Sequence, residues 1–344
     1  MDHTDNPPYA GTIEISVIIP VRNEEDSVRA LLAGLLSQTL PPTEIVITDS
    51  GSIDGTTEII EGFIRSGAPV KLIREKAALP GRGRNVAVGH SRCDWVAFID
   101  AGNTPAPNWL AGLARKVSDS SSVDVVYGTY EPIVDSFFKE CAAIAYVPPP
   151  FETDGGLVRP CSIVSALMRR RVWEKAGGFP EHLRSAEDLL FMRQVERARF
   201  NIVRTPGAIV YWSIQPNLWR TFKRFVEYAR NNIRAGLFAE WQGPIFLRYA
   251  LIAASMILAL FLSSRWLFVP LILWLMLMIA RATKAVRRNR KSYPASHGRN
   301  LARLCLLVPI IAALDAAAFI GSISWLLGDK LRLTGSRGQD ESRG

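Results

Sequence analysis

Apolar residues in the first 240 positions fall into short runs separated by helical patterns. Ile15–Ile19 (ISVII) predicts a buried strand stopped by Pro20. Glu24–Ser37 predicts a helix, with Val28, Leu31, Leu32, Leu35 and Leu36 at helical spacing. Glu44–Thr48 (EIVIT) reads as a second strand, and Asp54 as the N-cap of a helix running through Arg65. A third strand at Val70–Ile73, a short helix at Arg82–His90 and a fourth strand at Trp95–Ile99 complete a β-α-β-α-β-α-β series. Such a series implies an α/β fold built on a mostly parallel sheet with helices on both faces. In that architecture the ligand crevice lies beyond the carboxyl ends of the strands. The loops Val21–Asn23, Asp49–Asp54 and Asp100–Thr104 all follow strand ends; all are polar, and the last two carry carboxylates.

Beyond residue 240 the apolar stretches lengthen to membrane scale. Ile245–Ser264 is interrupted only by Arg248, Trp266–Ala280 carries no charge, and Leu304–Gly328 carries only Asp315. A spanning helix needs about twenty apolar residues. The first and third stretches meet this; the second does so if Arg265 and Arg281 snorkel to the interface. The pattern reads as three spans, with a membrane-embedded hairpin that does not cross as the other reading. An Asp in mid-membrane, such as Asp315, is either functional or turned toward a helix partner. Before the spans, Pro216–Glu240 places Trp219, Phe222, Phe225, Val226, Ala229 and Ile233 at helical spacing among five basic residues. That is the pattern of an interfacial helix, and equally of a helix packing on the core of the soluble domain.

Charge sharpens this picture. The 344-residue chain has a net charge of +9. The segment 281–303 holds eight Lys/Arg and no Asp/Glu, and taking those eight from +9 leaves +1. A single basic loop between two apolar stretches argues for membrane topology and against a nucleic-acid partner. By the positive-inside rule the loop faces the cytoplasm, and with two spans intervening so does the first region. The polar residues 1–12 lack the basic and apolar regions of a signal peptide and read as a disordered tail. The four cysteines, Cys93, Cys141, Cys161 and Cys305, have neither CxxC spacing nor nearby His partners, so they read as buried residues in a reducing compartment.

Four segments carry candidate chemistry. Ile47–Thr56 (ITDSGSIDGT) puts Asp49 at a strand end before a Ser/Gly turn and a capping Asp54. Gly81–Asn85 (GRGRN) opens a helix with two arginines, an arrangement that attracts a diphosphate. Phe98–Asn103 (FIDAGN) ends a buried strand on Asp100, placed to hold a ribose hydroxyl or a divalent metal bridging phosphates. Gly177–Leu190 (GGFPEHLRSAEDLL) brings Glu187 and Asp188 to the start of an amphipathic helix through Arg199. Taken singly, each also reads as a capped turn, a solvated basic turn or ordinary helix-end charge.

Taken together and in order, SVIIPVRNEE, EIVITDSGSIDGT, GRGRN, WVAFIDAG, GGF and AEDLLFMRQ resemble the family 2 glycosyltransferases across about residues 13–235. The resemblance implies a GT-A fold, an inverting enzyme and a nucleotide-diphospho-sugar donor. It implies that Pro20, Arg22 and Glu24 line the base and ribose, that Asp49 contacts the base, and that Arg84 and Asn85 lie beside the nucleotide. Asp100 matches the first acid of the DxD motif, Gly178 and Phe179 the acceptor-side turn together with Glu187, and Asp188 the catalytic base. The second DxD acid is Gly102 here, followed by Asn103. A divalent metal (Mg or Mn) would therefore rest on Asp100 and Asn103 with water. Gln215 is not followed by the basic signature of processive synthases, which disfavours that class.

The expected organisation is a tail over 1–12, a GT-A catalytic domain over 13–215, an interfacial helix over 216–240, a membrane region over 241–328 and a polar tail over 329–344. The expected reaction is sugar transfer to a lipid-linked or glycan hydroxyl acceptor at the cytoplasmic face of the inner cell membrane, in polysaccharide or glycolipid assembly. Asp188 draws off the proton, while a metal or the side chains of Arg82 and Arg84 offset charge on the leaving diphosphate. The alternative is a non-catalytic membrane-associated module that binds a nucleotide sugar or a partner. No nucleophilic triad is evident.

Overall fold

A computed structural model describes residues 13–330, except Ser121 and Asp154. The tail over 1–12 and nearly all of the polar tail over 329–344 lie outside the described residues. The chain forms two compact units, one of Met1–Glu131 with Pro150–Ser213, the other of Pro132–Pro149 with Ile214–Gly344.

The first unit runs β1 (Ile15–Val21), α1 (Val28–Leu36), β2 (Glu44–Asp49), α2 (Thr56–Arg65), β3 (Val70–Arg74), α3 (Pro80–His90) and β4 (Trp95–Phe98). It continues with β5 (Asn103–Pro105), α4 (Trp109–Asp119) and β6 (Val125–Ile133). After α5 (Phe137–Tyr146), which belongs to the second unit, come β7 (Phe151–Thr153), β8 (Gly156–Val158) and β9 (Ala166–Arg169). The unit closes with α6 (Arg170–Ala176), α7 (Glu187–Arg197) and β10 (Ile202–Ser213). The eight-stranded sheet has the order β3-β2-β1-β4-β9-β6-β10-β5. The four strands read from the sequence are mutually parallel. Beyond them β9 runs antiparallel to both β4 and β6, and β5 antiparallel to β10. The sheet is therefore mixed, parallel over one half.

The period-two alternation of β1 divides two cores. Val17 and Ile19 join Leu31, Leu35, Ile60, Trp109 and Leu113 on one face. Ile18 joins Val46, Val96, Phe98, Val88, Val172 and Phe191 on the other. Pro20 does not stop the strand as expected; it sits in register with Thr48. Val21 gives its carbonyl to Ser50 on the β2 side, so Pro20 turns its nitrogen toward β4. Pairing with β4 ends at Ile18, so the missing N–H breaks no ladder bond.

The second unit contains α5, α8 (Leu218–Arg234), α9 (Phe238–Trp241), α10 (Gly243–Leu262), α11 (Phe268–Arg288) and α12 (His297–Trp325). Three helical segments, Gly243–Leu262, Arg265–Arg288 and His297–Asp329, are long and apolar enough to cross a membrane. Their outer faces suit lipid: Phe261 is 85% exposed, and Leu260 and Met276 are exposed as well.

Three expectations change here. The basic segment 281–303 is mostly helix, since α11 continues to Arg288 and α12 starts at His297. The helix expected over 216–240 is two, α8 and α9, divided at Gly236, which sits at φ 74°. α8 lies against α12, where Gly321 leaves room for it: a Cβ there would stand 2.5 Å from the Val226 carbonyl oxygen. Residues 132–149, assigned from sequence to the catalytic domain, cluster with the second unit. On α5, Cys141 and Ile144 pack with Met278, Ala282, Leu307 and Ile310. Buried Glu140 pairs with Arg299 and with buried Arg303, whose Nε lies 2.5 Å from Oε1. Asp315 is buried and faces helix partners, receiving the Arg281 guanidinium and the Tyr249 hydroxyl. All four cysteines are free; Cys93 and Cys141 are buried, but Cys305 is exposed, against expectation.

Candidate active site

Because β1, β2 and β4 are parallel, their carboxyl ends and the loops after them share one edge of the sheet. The first two loops are laced together. Asn23, in the left-handed region at φ 55°, accepts from the Ile53 N–H at 2.9 Å, and its own N–H donates to the Ser52 hydroxyl at 2.9 Å. The Glu24 N–H donates to Thr56 Oγ1 at 2.7 Å, and Glu25 accepts from the Gly55 N–H at 2.8 Å. Asp49 is buried and accepts from the N–H groups of Gly51 and Ser52, both at 3.1 Å. Its carboxylate thus shapes the loop from within. Asp54 accepts from the Thr56 N–H and hydroxyl at the head of α2, and the hydroxyl bond holds its carboxyl below the usual range. Arg22 is exposed beside these loops, and Pro20 packs under the first turn of α3 near Gly83.

Arg84, only 4% exposed, is the centre of the arrangement. One arm donates to Asp100 at the end of β4 and the other to buried Glu187 at the head of α7, both at 2.7 Å. Its guanidinium carbon lies 5.4 Å from the centroid of the Phe179 ring. Burial disfavours its charge, but Asp100, Glu187 and Asp188 outweigh that, so it stays protonated. Residues from three distant segments are thereby joined through one cation. Glu187 and Asp188 both have raised pKa values, chiefly through burial. The Asp100 charge raises that of Asp188 further, against the pull of Arg84.

The GRGRN and GGF segments meet as well, though not as anion and acceptor contacts. The Asn85 amide donates to the Phe179 carbonyl at 2.9 Å and to Glu181 at 3.0 Å. Its oxygen accepts from Trp173 Nε1 and from the Phe179 N–H, both at 2.9 Å. Two donors and two acceptor sites are then spent, leaving nothing for a nucleotide. Asn85 is the clasp of the turn rather than a donor contact. Within that turn the Phe179 ring is turned into the core. It is 2% exposed, stacked at 4.0 Å on Phe191 and edge-on to Phe98 at 5.5 Å. Gly178 sits in the left-handed region at φ 72°, where a Cβ would stand 3.0 Å from Asn85 Oδ1. Arg82, expected to face the diphosphate, instead donates to Glu75 at 2.7 Å and Glu181 at 3.1 Å. Sequence reading missed Trp173 and Glu181, because a contact across 88 or 96 residues has no local signature.

For a metal, the donor set is sparse. Among the described residues no group of three or more His, Cys, Asp or Glu could hold one. Asp100 commits one oxygen to Arg84, and its side chain is 40% exposed. The buried Asn103 follows in the same turn, its N–H donating to the Asp100 carbonyl at 3.1 Å. A Cβ on Gly102 would meet nothing within 4 Å. This suits a cation that takes one carboxylate from the protein and its other ligands from phosphates and water.

Comparison with known proteins bears on the fold and the family. Residues 16–176 match the profile of Glycosyl transferase family 2. Glycosyltransferase AglE of Haloferax volcanii is 27% identical over 205 residues, covering 55% of this chain and 63% of its own length. Poly(ribitol-phosphate) beta-N-acetylglucosaminyltransferase TarS of Staphylococcus aureus is 29% identical over 189 residues, covering 52% of this chain and 32% of its own. The chain thus spans less than two thirds of either relative. Among solved structures, mannosyltransferase PcManGT from Pyrobaculum calidifontis, in complex with GDP-Man and Mn2+, superposes with a TM-score of 0.55 at 18% identity. That superposition covers 93% of this chain and 89% of the other, a likeness of fold. The first unit of this protein thus has a GT-A fold, and its residues 16–176 match the profile of Glycosyl transferase family 2.

Proposed function

We propose that the protein is an inverting glycosyltransferase that moves a sugar from a nucleotide-diphospho-sugar to a hydroxyl acceptor, with Asp188 as the base. The observation that carries the reading is the Arg84 bridge, which holds Asp100 and Glu187 on one cation beside Asp188. An acceptor hydroxyl is a poor nucleophile at neutral pH, and a positioned base contributes about 10²–10⁴-fold. The raised pKa of Asp188 makes it a better proton acceptor than an ordinary carboxylate. Asp100, with Asn103, would hold a divalent cation, which when bound supplies charge to offset the departing diphosphate. Glu187 keeps Arg84 in place, and the Asn85 clasp fixes the turn that leads into α7. The loops of Arg22, Glu24 and Asp49 form the nucleoside side. One displacement inverts the anomeric centre, and no covalent intermediate is needed.

AglE and TarS are glycosyltransferases by name, which supports the reading of the matched domain. PcManGT holds GDP-Man, a nucleotide-diphospho-sugar, and the donor class proposed here follows it. A lipid-linked or glycan acceptor at the cytoplasmic face of the inner membrane is the further part of the proposal. Its support is that three helices long and apolar enough to cross a membrane follow the domain along the chain, and that the basic segment 281–303 covers the junction of two of them.

The test is Asp188→Asn, assayed against a panel of UDP-, GDP- and dTDP-sugars with and without manganese. Turnover should fall by about 10²–10⁴-fold while donor affinity stays within twofold. Unchanged turnover would remove Asp188 from the mechanism. No turnover before or after the change, with donor binding retained, would favour a binding module.

A further inference from the structure

The segment 241–314 contains no Asp or Glu, so its cations must find acids elsewhere or remain uncompensated. Among the eight Lys/Arg between 281 and 303, Lys291 is engaged and three others pair with acids from other helices. Arg281 takes Asp315, while Arg299 and Arg303 share Glu140. Lys284, Arg287, Arg288 and Arg290 have no acidic partner among the described residues, and all four are exposed. These same four line one open cleft of about 620 Å³ with Ala280 and Thr283.

The depth of this cleft is set by α11 itself. The thirteen residues Phe268–Ala280 are uncharged, and the buried Asp315 fixes Arg281 at the end of them. Lys284 to Arg288 then lie three to seven residues farther along, about 4–10 Å at 1.5 Å per residue. The polar headgroup layer is about 5–7 Å thick on each side of the hydrocarbon. The cations therefore stand at headgroup level, and the cleft runs from Ala280, at the apolar end, to Arg290. A helix end favours cations through its dipole, but that accounts for charge near the terminus and not for four of them around one cleft.

We propose that this cleft is a binding site for the phosphate headgroup of an anionic membrane phospholipid. Lys284, Arg287, Arg288 and Arg290 supply the positive charge, and the apolar stem of α11 lies alongside the acyl chains. It is separate from the catalytic proposal and stands whether or not that holds.

The test uses the full chain purified in detergent, with lipid binding read by native mass spectrometry for phosphatidylglycerol and phosphatidylcholine. Wild type should hold phosphatidylglycerol at least about tenfold more tightly than phosphatidylcholine, given roughly tenfold-scale attraction for each cation or two near a membrane. Lys284→Gln/Arg287→Gln/Arg288→Gln/Arg290→Gln should abolish that preference. The charge-keeping Lys284→Arg/Arg287→Lys/Arg288→Lys/Arg290→Lys should retain it. If the fourfold Gln variant does not fold, Arg287→Gln/Arg290→Gln should still halve the preference or more. Equal binding of the two lipids by wild type, or an unchanged preference in the Gln variants, overturns the site. Displacement of the lipid by inorganic phosphate at the same concentration overturns the lipid assignment, because a free-phosphate site would behave that way.

Discussion

Replacing Arg84 by Met tests the centre of the site most directly. Arg84 and Glu187 are each 4% exposed, whereas the Asp100 side chain is 40% exposed. The Asp100 pair is solvated and contributes about 0–1 kcal/mol; the Glu187 pair sets the cost. Stripped of its cation, Glu187 either stays charged in a dry site, at about 3–5 kcal/mol, or takes up a proton. The second route caps the loss at about 1.4 kcal/mol for each pH unit above the ordinary Glu pKa of about 4.3. That cap is about 3.7 kcal/mol at pH 7 and about 1.6 at pH 5.5. The sign follows from linkage. Burial already raises the Glu187 pKa, and losing Arg84 raises it more. Between the unfolded and folded values the native state holds a proton that the unfolded chain lacks, so stability falls as pH rises. For a domain of this size each kcal/mol moves the melting temperature by about 2–4 °C. The variant should melt about 7–15 °C below wild type at pH 7 and about 3–6 °C below it at pH 5.5, followed by near-UV circular dichroism in detergent. Arg84→Met/Glu187→Leu should recover most of the loss, since an apolar pair replaces an orphaned charge. A gap that does not narrow on acidification, or a double variant no better than the single one, would refute this account.

Other outcomes follow from single positions. Gly102→Asp should fold like wild type, because a Cβ there meets nothing within 4 Å; a manganese titration should show tighter binding, and no change would count against Asp100 as the metal anchor. Gly81→Ala should cost about 1–3 kcal/mol, since its Cβ would lie 2.2 Å from the Pro180 carbonyl oxygen; a melting temperature equal to wild type would contradict the close approach of α3 to the turn. Glu140→Leu should destabilise the second unit by about 3 kcal/mol, because buried Arg303 loses its counter-charge and keeps the neutral Tyr293 carbonyl at 2.9 Å and Asn300 side chain at 2.8 Å. Faster proteolytic cleavage within 132–149 would register it.

What could be read along the chain was what neighbouring residues decide. Strands β1 to β4, the helices between them and the three long apolar helices follow from local periodicity, and so do the polar loops after the strand ends. Pairing across large separations was not readable, because no local pattern encodes a partner. The antiparallel half of the sheet depends on β9 inserting between β4 and β6, and its four residues carry no signal of that place. The α5 helix looks like part of the first region, yet Glu140 finds its counter-charges 159 and 163 residues away, and those contacts move it to the second unit. At the site, sequence supplied Arg84, Asn85, Asp100, Glu187 and Asp188 as residue types. Only folding made Arg84 the bridge and Asn85 the clasp, because burial leaves each polar group to whichever partner stands within hydrogen-bonding distance.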